Sequence, residues 1–412
     1  MEVLCERCCG LDVHQKSVVA CLLTPDAQGR KQRETRTFGT MTAELLQLSD
    51  WLQETGCTHM AMESTGVYWK PIYNPLEGQF ELLVVNARHL RTVPGRKTDV
   101  SDAEWIAELL QHGLLRASFI PPAPQRELRE LTRYRTRLGQ ERVRVSNQLQ
   151  KVLASANIKL ATVASDVLGV SGKAMVTALA AGREDPQELA QLARGQLQQK
   201  HAALVQALTG AVRAHHRFLL REHLAHIAYL EEAIERVSAE IAERLRPFEE
   251  ALAHLDSIPG VNRRTAEVLL AEVGNDMRPF PDAHHLASWA GMCPGNDESA
   301  GKRRSGKTRK GSPWLKAALV ESAHAATHTK ETYLRAQYEH LVRRRGRAKA
   351  EVAVGHSIPV IAYHLLTRHE DYRELGSSYY DERQRDRTLR RLVARIEHLD
   401  LQVTLTPLAQ AA

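Results

Sequence analysis

Four carboxylates stand where separate elements could bring them to one reaction. They are Asp12 in GLDVHQKSVVACLL, Glu63 at the end of HMAME, and Asp99 and Asp102 in KTDVSDAEWIAELL. Phosphodiester chemistry commonly uses two divalent metals about 4 Å apart, which polarise the phosphate and stabilise the entering and leaving oxygens. Hard cations such as Mg²⁺ or Mn²⁺ take oxygen ligands, so such a centre needs several carboxylates converging from different elements. Asp12 points opposite to its apolar neighbours Leu11 and Val13 on a strand. Glu63 falls near the C-terminal edge of a second strand. Asp99 and Asp102, three apart, are expected to share one face of the helix they open. Taken singly, each has an ordinary explanation as a turn residue, an N-cap or a solvated acid. Their combination, in this order, points to a metal site.

The elements that must position them alternate between strand and helix. GLDVHQKSVVACLL reads as a strand and hairpin, RETRTFGT extends the sheet, and HMAMES and FELLVVN read as short buried strands. TAELLQLSDWLQETG has helical spacing with Gly56 past its end, and GVYWKPIYNPLEG fits a short helix and turn. DVSDAEWIAELLQHG predicts a helix with Ile106, Leu109 and Leu110 inward and Gly113 as terminator. This pattern implies a mixed α/β layer fold.

From Gln125 the character changes to long helices. Leu128, Leu131, Leu138, Leu149 and Val152 line one face, and Arg126, Arg129, Arg133, Arg135, Arg137, Arg142 and Arg144 crowd the rest. A solvated face balanced by Glu127, Glu130 and Glu141 is the plain reading, but the arginines outnumber those acids and favour phosphate contact. A second stripe (Leu219, Leu220, Leu224, Ile227, Leu230, Ile234, Val237, Ile241, Leu245) suits a coiled-coil arm or dimerisation element. His215, His216, His223 and His226 beside it read as polar-face residues. Farther on, DSIPGVNRRTAEVLLAEVG resembles a helix-hairpin-helix, with Gly260 permitting the turn and Asn262 where a left-handed residue is expected. Backbone N–H groups of such a hairpin can hold a DNA phosphate.

With 412 residues, two or three domains are expected. A net charge of +7 favours a polyanionic partner, while an aromatic share of 5% argues against widespread base stacking. No apolar run suits a signal peptide or a membrane span, so a cytoplasmic protein with free thiols is expected. Cys5 and Cys8 have CxxC spacing without a matching second pair, which reads as incidental rather than as a zinc site.

Across nearly its whole length the chain resembles the DEDD transposases of bacterial insertion sequences. The resemblance rests on GLDVHQKSVVACLL, MESTGVYWKP, NARHLRTVPGRKTDVSDAEWIAELL and SWAGMCPGNDESAGKRRSGKTRKGSPWLKAALVESA. It implies an α/β RNase H-like (RuvC-like) catalytic domain at 1–124 and a helical, coiled-coil-like oligomerisation region at 125–252. A mainly α serine transposase domain with the helix-hairpin-helix would follow at 253–375, then a charged helical tail at 376–412. By the same match Asp12, Glu63, Asp99 and Asp102 correspond to the family's metal-binding acids and Ser299 to its nucleophilic serine. Ser299 is followed by Ala300 and Gly301, so backbone can approach a phosphate, and Lys302, Arg303, Arg304, Lys307, Arg309 and Lys310 supply a positive field. Ser305 is the nearest rival nucleophile. The expected activity is Mg²⁺-dependent strand cleavage and exchange through a covalent serine link, in a bacterial cytoplasm. DNA, a bridge RNA and further copies of the chain, as dimer or tetramer, are the expected partners. Phosphate contacts are expected from Arg133, Arg137 and the Gly260 turn as well as from the basic run.

Alternatives with the same carboxylates are a hydrolytic RuvC-like nuclease or Holliday-junction resolvase, in which Ser299 has no role, and a site-specific DNA invertase. A sugar-kinase-like or actin-like ATPase would need Gly-rich phosphate loops that the chain lacks. A non-catalytic DNA-binding protein built on the helix-hairpin-helix would need no metal at all.

Overall fold

The computed structural model describes residues 3–64, 66–87, 90, 101–295, 297–299 and 302–405, in two compact units, Met1–Pro121 and Pro122–Ala412. The first unit is built on five strands: β1 (Cys8–Val13), β2 (Ser17–Pro25), β3 (Lys31–Gly39), β4 (His59–Glu63) and β5 (Glu81–Val85). Their order is β3-β2-β1-β4-β5. The first three run antiparallel as a meander, and β4 and β5 join parallel to β1.

Strict alternation sorts the sheet's two faces. Cys9, Leu11 and Val13 of β1, with Met60 and Met62 of β4, pack under α1 (Thr42–Glu54) and α2 (Trp69–Leu76). Cys8 of β1, Cys21 and Leu23 of β2 and Ala61 of β4 pack on the opposite face under α3 (Asp102–Gln111). Gly56 and Gly113 both take positive φ just past helix ends, as expected of helix terminators. The Cys8 thiol donates to the Ala107 carbonyl, and burial pushes it up to about 12, so it is an inert packing group.

The second unit is helical around two cores. Its spine pairs α4 (Ala123–Ser155), about 50 Å long at 1.5 Å per residue, with a later helix of similar length. Between them α5 (Val170–Ala180), α6 (Pro186–Ala190) and α7 (His201–Leu208) wrap the far end of the spine. The returning helix α8 (Ala214–Leu245) is antiparallel to α4: Arg244 pairs with Glu127 near one end, and Arg142 with Glu231 toward the other.

The apolar stripe that suggested a dimer arm is therefore filled from within the chain. Leu220, Ile227, Leu230, Ile241 and Leu245 are all buried, and Leu219 is the stripe residue left exposed, at 38%. His216 is also not a polar-face residue. It is buried and its Nδ1 accepts from the Arg213 N–H at the start of α8.

The other end of the spine carries α9 (Glu249–Asp256), α10 (Arg263–Val273) and α11 (Ala283–Trp289). They are followed by the short strands β6 (Asp297–Ser299) and β7 (Lys302–Ser305), then α12 (Pro313–Ala326), α13 (Tyr333–Arg345), α14 (Arg347–Arg368) and α15 (Gly376–Glu397). Leu252, Leu255, Leu269, Leu270, Leu315, Leu319, Val354 and Ile358 form their common core. Among the described residues no helix is long and apolar enough to cross a membrane.

Candidate active site

Asp12 and Glu63 lie together at the C-terminal ends of two adjacent inner strands because β1 and β4 run parallel in register. Gly10 faces Ala61 and Leu11 faces Met62, so Asp12 and Glu63 are the next residues on their strands. Gly10 and Ala61 lie on the α3 face, and alternation puts Asp12 and Glu63 there too.

The third carboxylate is delivered by the seating of α3. A Cβ at Gly10 would lie 2.2 Å from the Ala103 carbonyl oxygen and 2.4 Å from the Ala107 nitrogen, so the helix backbone rides directly on this strand. Asp102, next to Ala103, is thereby held beside Asp12. Ser101 supplies the cap, its hydroxyl accepting from the Glu104 N–H at 3.3 Å, so neither Asp102 nor Asp99 is the N-cap. Asp99 lies outside the described residues.

The electrostatics follow this placement. Burial raises the Asp12 pKa from its ordinary value, and the Asp102 and Glu63 carboxylates raise it further, against the lowering effect of His14. The His14 Nε2 sits 3.2 Å from Asp12 Oδ2. His14 was not singled out from sequence, although its position two residues after Asp12 at the turn into β2 is a signal. The remaining acids of α3 have partners on β3, Glu104 in Arg33 and Glu108 in Lys31. Asp102 and Glu63, from two further elements, thus both act on Asp12 at the C-terminal ends of β1 and β4, a donor set suited in kind to a hard divalent cation. Among the described residues no three acidic, His or Cys side chains are already closed around a single point.

Ser299 belongs to the second unit, as the last residue of β6, registered opposite Lys302 of β7. A two-stranded stalk continues below: the Gly295 N–H donates to Lys307 O at 2.8 Å, the Arg309 N–H to Cys293 O at 3.0 Å, and Pro294 bridges Thr308. The segment carrying the basic run is thus a hairpin at its base. Lys307, Arg309 and Lys310 are exposed on it. The side chains of Ser299, Lys302, Arg303 and Arg304 lie outside what the structure describes, as do Ala300 and Gly301.

The hairpin stands on a buried carboxylate that sequence reasoning missed. Glu272, fully buried on α10, accepts from Arg133 Nε and Nη2 at 2.7 and 2.9 Å and from the Ser312 hydroxyl at 3.0 Å. Ser312 also caps α12, directly after the hairpin. Arg133 therefore makes an internal ion pair while its side chain stays 30% exposed. Arg135 is buried against Glu267 at 2.6 Å. Arg137 is exposed, its guanidinium 5.2 Å above the Trp314 ring.

The turn between α9 and α10 also differs from expectation. Gly260 does take φ +83°, but its α-carbon faces α12: a Cβ there would lie 2.3 Å from the Ser322 carbonyl. Helix packing alone therefore requires this glycine. Asn262 is extended at φ −105°, not left-handed, because its side chain caps α10 by accepting from the Thr265 N–H.

Comparison with known proteins supplies the family. Residues 9–158 match a family model described as Transposase, of the DEDD type, and residues 252–339 match one described as Transposase IS116/IS110/IS902 family. A Pseudomonas aeruginosa protein described as "Probable family 20 transposase" is 24% identical over 79% of this chain and 89% of its own length. The transposase for insertion sequence element IS1111A of Coxiella burnetii is 26% identical over 70% of this chain and 72% of its own. An insertion element IS110 protein of 43.6 kDa from Streptomyces coelicolor is 48% identical over a shorter stretch, 17% of this chain and 18% of its own. Two matched segments and transposase relatives aligned over 70–79% of this chain agree: the chain belongs to the IS110 family of DEDD transposases.

Proposed function

We propose that this transposase cuts and rejoins DNA at its insertion sequence, using a divalent-metal centre on the first unit and Ser299 of the second as nucleophile. The observation that carries the reading is the seating of α3 on Gly10, which holds Asp102 beside Asp12, with Glu63 on the adjoining parallel strand. Antiparallel β1–β3 joined to parallel β4 and β5 support an RNase H-like reading of that unit. The α9–turn–α10 segment supports the helix-hairpin-helix. We keep the four-part division at 124, 252 and 375 as a proposal of the same standing.

Asp12, Glu63 and Asp102, joined by Asp99, would hold Mg²⁺ or Mn²⁺. The bound ions would polarise the scissile phosphate and stabilise the leaving oxygen. The chain's own groups do the rest. Ser299 loses its hydroxyl proton and its oxygen attacks phosphorus. One P–O ester bond to the strand breaks, and the departing strand end takes up a proton as a hydroxyl. The new phosphoserine ester keeps the bond energy, so a strand-end hydroxyl can reverse the step on a different strand and restore Ser299. Lys307, Arg309 and Lys310 hold the strand through its phosphates, with Lys302, Arg303 and Arg304 beside them in sequence. A bridge RNA and assembly of several copies remain part of the proposal through the family resemblance.

The test is adduct formation on DNA carrying an element end. Wild-type protein with Mg²⁺ is expected to give a covalent protein–DNA species on a denaturing gel, and Ser299→Ala none. Undiminished cleavage by Ser299→Ala would replace the recombinase with a hydrolytic nuclease.

A further inference from the structure

The turn joining α13 to α14 carries five cations in seven residues, Arg343, Arg344, Arg345, Arg347 and Lys349. All five are exposed. We infer that this turn is a second DNA-binding surface, separate from the serine hairpin, which grips the phosphate backbone of duplex DNA. The inference rests on the reading above that the protein acts on DNA.

Ordinary partners are poorly supplied to Arg343, Arg344 and Arg345, whereas Arg347 has one in Glu351. On a helix, an arginine pairs with an acid three or four residues away. Arg344 and Arg345 have His340 and Leu341 at i−4, and Arg347, Ala348 and Lys349 follow them. Glu339, which lies at i−4 from Arg343, is already held by Arg335 at 2.8 Å. Glu351 is taken by Arg347 at 3.1 Å and faces His324 as well. Cations in a last turn do favour the helix dipole. Three in succession are more than that role needs, because side chains 100° apart fan away from one another.

The fan lies between two anchored helices. Leu334 anchors the start of α13 and Ala350 and Val354 the start of α14, all three fully buried. Gly346, at φ +79°, makes the turn that places Arg347 and Lys349 directly after the arginine fan. The segment contains no aromatic residue, so it has no stacking platform for unpaired bases. Charge without stacking suits the regular phosphate array of a duplex.

The experiment is salt-dependent binding of full-length protein to a mixed-sequence DNA duplex, with EDTA present so that no strand is cut. The variant is Arg343→Gln/Arg344→Gln/Arg345→Gln. The charge-matched control is Arg236→Gln/Arg246→Gln/Arg278→Gln, whose arginines are ion-paired within the chain. Removing one arginine from a DNA phosphate makes the slope of log affinity against log salt shallower by about 0.9, or about 3.5-fold over a fourfold rise in salt. If all three arginines touch phosphates, raising salt from about 50 to about 200 mM weakens the wild type about 40-fold more than the variant. Arg→Lys at the same three positions restores most of the slope. A slope equal to the control's would overturn the inference, as would loss of binding to structured RNA with duplex binding unchanged. Wild-type protein that binds no duplex would bring down the DNA-acting reading as well, whereas wild-type binding with an unaffected variant refutes this surface alone. Should the triple variant not fold, Arg344→Gln alone carries the test, with a slope change of about 0.9.

Discussion

Replacing Gly10 by alanine is the sharpest small perturbation of the proposed metal centre. The added methyl carbon would fall 2.2 Å from Ala103 O and 2.4 Å from Ala107 N. Both are backbone atoms, so no side chain can swing aside. Ordinary van der Waals contact begins near 3.4 Å, so α3 must retreat by about 1 Å. Overpacking of this kind costs about 1–3 kcal/mol. The functional cost is larger, because the retreating helix carries Asp102 away from Asp12, and a misplacement of about 1 Å can cost about a hundredfold in rate. The assay pairs a thermal melt with Mg²⁺ titration of strand cleavage. Gly10→Ala is expected to melt a few degrees lower, to need more Mg²⁺ and to cleave about a hundredfold more slowly. Gly29→Ala is the control: its φ of +76° costs about 1–2 kcal/mol, in open space far from the carboxylates in sequence and on another strand end. A Gly10→Ala protein that loses stability but cleaves like the wild type would refute the claim that this packing sets the carboxylate spacing.

Other expectations follow from the same geometry. Ser305→Ala should keep adduct formation that Ser299→Ala abolishes, as read on a denaturing gel; the reverse pattern would move the nucleophile to Ser305. Glu272→Ala should lower stability in urea melts by about 2–3 kcal/mol, less than the roughly 3–5 kcal/mol of a fully buried pair because Arg133 is 30% exposed. A loss below about 0.5 kcal/mol would mean that Glu272 does not hold the base of the hairpin. Asp12→Asn should leave duplex affinity intact in gel-shift assays while abolishing Mg²⁺-dependent cleavage, and retained cleavage would remove Asp12 from the site.

Much of the first unit could be read from local pattern. Alternation along β1 placed Leu11 and Val13 on one face and Asp12 on the other, and the helix over Ile106, Leu109 and Leu110 was equally plain. The cap was not, since Ser101, Asp99 and Asp102 are all chemically able to serve. Gly10 carried no signal of its own, because a strand glycine has many causes and only the seating of α3 reveals this one. In the second unit the limits came from distance in sequence. The acids that neutralise Arg133 and Arg135 lie more than a hundred residues away on α10, so a count of neighbouring acids left both arginines looking available. The α8 stripe was correctly apolar, but periodicity cannot say whether its partner is α4 or a second copy. Asn262 was misread because the same side chain that tolerates the left-handed region is also a strong N-cap.

Peptide mapping of the protein–DNA adduct tests the joint role of the carboxylates and the serine most directly. With Mg²⁺ present, digestion followed by mass spectrometry should locate the nucleotide on Ser299, and EDTA, Asp12→Asn or Asp102→Asn should each abolish the modified peptide. Cut DNA ends bearing no protein, produced with Mg²⁺ by wild-type and Ser299→Ala chains alike, would contradict it.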